Sequence, residues 1–220
     1  MTIAQGNPEI QEEKVIFAAA DVTLEGRLAP GGESGGVVLT SPHPLYGGDM
    51  DNNVVWTAAR AFQNRHWTTL RFNFRGVGLS TGDYGGGQAE VADIRAAMHF
   101  LATRVARPQV IVGYSFGAAV ASRALIQGTP ADDLILIAPP IALMEINYLP
   151  ETPRLRLIIV GDRDDFCPLS QLEYLFRTSP LDSRPKIRVL PGCSHFFAGF
   201  ERSLYDILQK YQRTLSGSDT

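Results

Sequence analysis

Pro108-Gln109-Val110-Ile111-Val112-Gly113-Tyr114-Ser115-Phe116-Gly117-Ala118-Ala119-Val120-Ala121 is the stretch that decides the fold. The β-branched run Val110 to Val112 suits a strand buried on both faces. Ala118, Ala119 and Ala121 give the following segment a small-residue face that lets a helix lie close to a sheet. Between the two, Gly113 and Gly117 flank a serine. A sharp strand-to-helix turn brings the backbone on either side of that serine into near contact, where a Cβ would clash. Such a turn lifts the Ser115 hydroxyl clear of the strand, above a helix N-terminus.

The Gly-x-Ser-x-Gly pattern occurs three times, around Ser34, Ser80 and Ser115. Context separates them. Ser34 lies in a glycine-rich turn before a strand, not after one. Ser80 follows a strand, but Gly85-Gly86-Gly87 comes next and does not start a helix. Ser115 alone has a strand before it and a helix after it. That arrangement resembles the nucleophile elbow of the α/β-hydrolase superfamily.

Bulk properties narrow the field. A chain of 220 residues is expected to form one domain, with 1–13 and 216–220 as polar, flexible ends. An apolar content of 45% is enough to bury a large core. The net charge of −3, with both signs scattered, offers no basic face for nucleic acid. Residues Met1 to Glu13 lack the apolar core of a secretory signal, and no apolar run approaches the roughly 18 residues of a membrane span. Two cysteines do not make a disulfide framework, so a cytoplasmic setting is expected.

From Val37 onward, short apolar strands alternate with helices. Strands are predicted at Lys14–Phe17, Val22–Leu28, Val37–Thr40, Trp67–Asn73, Val110–Val112, Leu134–Ala138, Leu155–Val160 and Ile187–Leu190. Helices are predicted at about Asp51–Arg65, Ala89–Arg104, after Ser115, at about Leu169–Arg177, and from near His195 to Leu215. The pattern predicts a mostly parallel sheet of about eight strands with helices on both faces.

A serine hydroxyl needs a base to take its proton, and the base needs a carboxylate to orient it. In this fold the order is Ser, then Asp or Glu, then His. Of four histidines, His66 precedes a strand, His99 is inside a helix and His43 comes before the serine. His195 is therefore the candidate base, and Pro191-Gly192-Cys193-Ser194-His195 resembles the family's base-bearing loop. Asp162, Asp164 and Asp165 compete as the acid. The likeness of Gly161-x-x-Asp164-x-x-Cys167-Pro168 to the family's Gly-x-x-Asp loop favours Asp164, with Asp162 its main rival.

An oxyanion hole requires two aimed N–H groups. Phe116, directly after the nucleophile, is the first candidate. The second should come from Ser41-Pro42-His43-Pro44-Leu45, where proline replaces the family's commoner glycine. Since Pro44 has no N–H, Leu45 is the expected donor. His43 is read as holding this loop. Asn73-Phe74-Arg75-Gly76-Val77-Gly78 resembles a family segment with Asn73 in place of aspartate, and Arg75 is read as structural. Together with Pro42-His43-Pro44-Leu45-Tyr46-Gly47-Gly48, these segments resemble a small, near-lidless bacterial branch of the family.

The resemblance implies a serine hydrolase, esterase-like, that cleaves a soluble ester or thioester through an acyl-enzyme, with no metal and no cofactor. His43, Tyr46, Tyr114, Phe166 and Phe196 are candidates for the substrate pocket. The insertion Pro139–Arg154 is too short for a large lid, which leaves an open cleft and disfavours an interfacial lipase. Two alternatives remain at this stage: a serine peptidase of the same fold, and a hydrolase fold kept as a non-catalytic binding module. Oligomeric state is left open. Cys167 and Cys193 lie on the acid and base loops and are read as packing residues rather than as a disulfide.

Overall fold

The computed structural model describes residues 11–32, 34–106 and 108–215, with the side chains of 213–215 left aside. Of the flexible ends expected at 1–13 and 216–220, residues 1–10 and 216–220 lie outside the described residues, whereas Glu12 pairs with Arg71 and Glu13 opens the first strand. Eight strands form one sheet: β1 (Glu13–Ala19), β2 (Val22–Ala29), β3 (Gly36–Thr40), β4 (Thr68–Phe72), β5 (Gln109–Tyr114), β6 (Asp133–Ile137), β7 (Leu155–Gly161) and β8 (Lys186–Leu190). Their order across the sheet is β1-β2-β4-β3-β5-β6-β7-β8. Only the β1–β2 and β2–β4 pairings are antiparallel.

Burial follows sheet position. Strands β3, β4 and β6 are buried at every residue, whereas edge strand β1 buries only Phe17 and Ala19. Helices α1 (Asn53–Gln63) and α5 (Glu201–Leu215) pack against one another on one face of the sheet, around Phe62, Trp67, Ile135 and Leu204. Helices α2 (Glu90–Ala102) and α3 (Phe116–Ile126) pair on the other, around Ile94, Met98, Ile111 and Val120, with Leu172 of the short α4 (Leu169–Leu175) in the same cluster. Burying roughly 25 cal/mol per Å² of apolar surface on both faces is what favours the layered arrangement.

Some boundaries move from the sequence reading. The first helix starts two residues later than expected, because the Asn52 side chain accepts the Val54 N–H and caps it. The last helix begins at Glu201, not near His195. Positive φ at Phe197 (55°) and Gly199 (80°) keeps the intervening chain out of the α-region.

The register positions the functional loops. Thr40 lies beside Gly113, so the loop after β3 starts next to Ser115. Gly161 lies beside Leu190, which brings the loops after β7 and β8 side by side. All three loops leave the C-terminal ends of parallel strands, where open α/β sheets form their clefts.

Candidate active site

Ser115 has φ 52° and ψ −119°. A Cβ on Gly113 would lie 2.7 Å from both the Gly117 carbonyl oxygen and Ala118 Cα. A Cβ on Gly117 would overlap Thr40 Oγ1 and come within 2.6 Å of the Ser41 carbonyl oxygen. Both glycines are therefore required by close backbone approach.

The three side chains singled out from the sequence meet here. His195 Nε2 is 2.8 Å from Ser115 Oγ. His195 Nδ1 lies 2.9 Å from each carboxylate oxygen of Asp164. Asp164 Oδ1 also accepts the N–H groups of Phe166 and Cys167, each at 2.9 Å, which holds the carboxylate in place. With Nδ1–H donated to Asp164, Nε2 is free to accept the serine proton.

Asp162 does something else. Its Oδ1 accepts the Gly192 N–H at 2.6 Å and so pins the turn that precedes His195. The Tyr114 hydroxyl donates to the His195 carbonyl at 3.0 Å, a second tie on the same loop. Burial, with the field of Asp164, pushes the Tyr114 phenol up, so it stays a neutral donor.

A cavity of about 720 Å³ opens over this group. It is lined by His43, Tyr46, Tyr114, Ser115, Phe116, Phe166, His195 and Phe196, all of them pocket or site candidates from the sequence. Asn52, Pro140, Leu143 and Met144 also line it, and sequence reasoning had not singled these out. The last three belong to the short insertion after β6, whose Ile146 and Leu149 are buried in the core. Insertion and elbow loop therefore wall one cleft. A second cavity, about 580 Å³, lies at the opposite end of the strands beside Pro30, Thr68 and Arg104, away from these groups.

Leu45 differs from expectation. Its side chain is 66% exposed, it does not line the cavity, and its N–H donates to His43 Nδ1 at 3.2 Å. The alternation of prolines lets His43 cap its own short turn, and that consumes the Leu45 N–H. Arg75 forms a buried, forked ion pair with Asp93 (2.7–3.2 Å). Asn73 accepts the Met50 N–H and donates to Glu25, tying the end of the 41–50 loop to the sheet. Cys167 and Cys193 are free and buried. Burial pushes both thiols up, Cys193 to about 11.

The sequence profile of the alpha/beta hydrolase family matches residues 37–156, which span strands β3 to β6 and the elbow. The chain belongs to the alpha/beta hydrolase family. Within the family, an alpha-beta serine hydrolase homologue from Coxiella burnetii is 31% identical, with 90% of this chain and 96% of that one covered and a TM-score of 0.82. A serine hydrolase without a lid from Xanthomonas campestris is 29% identical, with 95% and 98% covered and a TM-score of 0.84. An uncharacterized protein of Rickettsia prowazekii is 31% identical over 194 residues, 84% of this chain and 82% of that protein. Both solved relatives share the fold, and the Xanthomonas protein is the one described as lacking a lid. Among the described residues no helix is long and apolar enough to cross a membrane.

Proposed function

We propose that the protein is a serine hydrolase acting on a small, soluble carboxylic ester or thioester through an acyl-enzyme. The observation that carries this reading is the continuous hydrogen-bonded chain Ser115–His195–Asp164 at the floor of an open cavity.

In the first step Ser115 Oγ attacks the substrate carbonyl carbon and His195 Nε2 takes its proton. Asp164 stabilises the imidazolium and keeps it turned toward the serine. The carbonyl oxygen becomes an oxyanion, met by the Phe116 N–H at the N-terminus of α3. On collapse, His195 returns the proton to the leaving oxygen or sulfur. A water then attacks the acyl-serine by the same route, releasing the acid and restoring Ser115. The aromatic and aliphatic walls of the cavity suit an uncharged acyl group, and the absence of a large lid suits a dissolved substrate.

The test is labelling with a fluorophosphonate followed by a panel of p-nitrophenyl esters and acyl thioesters of graded chain length. Wild type should be labelled at Ser115 and turn over part of the panel, and Ser115→Ala should do neither. Equal labelling of the two proteins would refute the reading. Asp164→Asn should lower kcat by about 10⁴-fold, since it leaves His195 in the wrong tautomer.

A further inference from the structure

We propose that Phe166 and Phe196 form the leaving-group side of the cavity and select a neutral aromatic alcohol, while the acyl chain lies toward Met144. This rests on the serine hydrolase reading of Ser115.

Proton transfer divides the cavity. His195 Nε2 takes the Ser115 proton and passes it to the leaving oxygen, which keeps the electron pair of the breaking C–O bond and departs as the alcohol. The leaving oxygen must therefore come within about 3 Å of Nε2. Whatever that oxygen carries then lies beside the imidazole. Two phenyl rings stand there, and both line the cavity. The Phe166 centroid is 4.7 Å from that of His195 and the Phe196 centroid 5.7 Å, both edge-on. The two phenyl rings meet each other at 6.1 Å and 80°, which makes an aromatic corner.

A second group of side chains marks the other end. A Cβ on Gly87 would lie 3.4 Å from Phe116 Cε2 and 3.7 Å from Met144 Cε, so these two side chains converge. The Phe116 ring packs at 4.8 Å on His43, which packs at 4.8 Å on Tyr46. Among the described residues no ring contact joins this group to the Phe166–Phe196 corner. The tetrahedral carbon on Ser115 has its oxyanion at the Phe116 N–H and its leaving group at the corner. The acyl chain is left the Met144 side.

The corner is fixed through its backbone. The Phe166 N–H donates to Asp164 Oδ1 at 2.9 Å, and the Phe166 carbonyl accepts the Ala142 N–H of the insertion at 3.0 Å. The Phe196 carbonyl accepts from Asn53 Nδ2 at 3.2 Å, and Phe197 beside it is buried. Held in this way, the Phe196 ring is still 61% exposed. A fixed, uncovered phenyl ring next to the proton donor suits another ring, because aromatic pairs gain beyond the area they bury. The described residues lining the cavity include no Lys, Arg, Asp or Glu, so a phosphate-bearing thiol or a cationic alcohol finds no counter-charge there.

The test measures kcat/KM for naphthyl acetate, for the acetate of a fluorinated alkyl alcohol of matched acidity, and for naphthyl hexanoate. Wild type should prefer the naphthyl to the fluoroalkyl acetate. Phe196→Ala should lower that preference by about tenfold and keep the hexanoate-to-acetate ratio. Met144→Ala should do the reverse, lowering the hexanoate-to-acetate ratio by about tenfold. Each ratio is taken within one variant, so a partly unfolded population cancels. A naphthyl preference absent from wild type, or unchanged in Phe196→Ala, would overturn the proposal. So would a hexanoate preference that falls with Phe196→Ala as much as the naphthyl preference does, or labelling of Ser115 by a fluorophosphonate with no turnover of the naphthyl esters. Absence of both labelling and turnover would instead strike the hydrolase reading itself.

Discussion

Ser115→Gly should melt at a higher temperature than Ser115→Ala. Ser115 holds φ 52° and ψ −119°, a combination that costs a residue bearing a Cβ on the order of 1–3 kcal/mol. Both substitutions delete the 2.8 Å contact with His195 Nε2, so that loss cancels between them. Glycine relieves the strain. It also gives the unfolded chain more freedom, which offsets about 0.4–1 kcal/mol of the gain. The remainder favours glycine by up to about 2.6 kcal/mol, with a central value of about 1.3 kcal/mol. For a chain of 220 residues, the central value corresponds to roughly 2–5 °C in Tm. Differential scanning calorimetry of the two variants at one pH reads the difference directly, and neither variant should turn over an ester. A glycine variant that melts at or below the alanine variant would show that the elbow stores no strain, and the physical account of the turn would fail.

Gly117→Ala should destabilise the fold by about 1–3 kcal/mol and depress kcat, because its Cβ must push back the backbone at Thr40 and Ser41 beside the oxyanion loop; melting curves and ester kinetics check both effects. Asp93→Ala should cost about 3–5 kcal/mol in denaturant unfolding, since it strands the buried Arg75 guanidinium without its partner. Native Cys167 and Cys193 should resist a thiol reagent at pH 8 and react fully after unfolding, as burial holds both thiols protonated. His43 has a folded pKa below its ordinary 6.5. Its neutral form therefore contributes stability that is present above about pH 6.5 and lost as pH falls toward the folded value. In His43→Asn, Tm should fall less steeply than wild type below pH 6.5.

Much of the molecule was legible along the chain. Strand and helix periodicity identified all eight strands: the central ones are short apolar runs buried in the sheet, and edge strands β1 and β8, though mostly exposed, keep apolar residues that mark them. Boundaries were less legible. Capping by Asn52, and the positive φ of Phe197, depend on local backbone geometry rather than on hydrophobic spacing. Pro140, Leu143 and Met144 carried no motif, and they line the cavity only because the insertion after β6 folds over it.

The order of Ser115, Asp164 and His195 and the glycines around the serine are properties of the sequence, since a strand-to-helix turn and a parallel sheet demand those residues at those places. Which aspartate reaches His195 was a tertiary decision. Asp162 and Asp164 stand two residues apart, and only the register of β7 with β8 sends one to Gly192 and the other to the imidazole. The fate of the Leu45 N–H was decided in the same way. Counting prolines leaves Leu45 available, but folding bends His43 back onto it, and a hydrogen-bond donor serves whichever acceptor the backbone brings within reach.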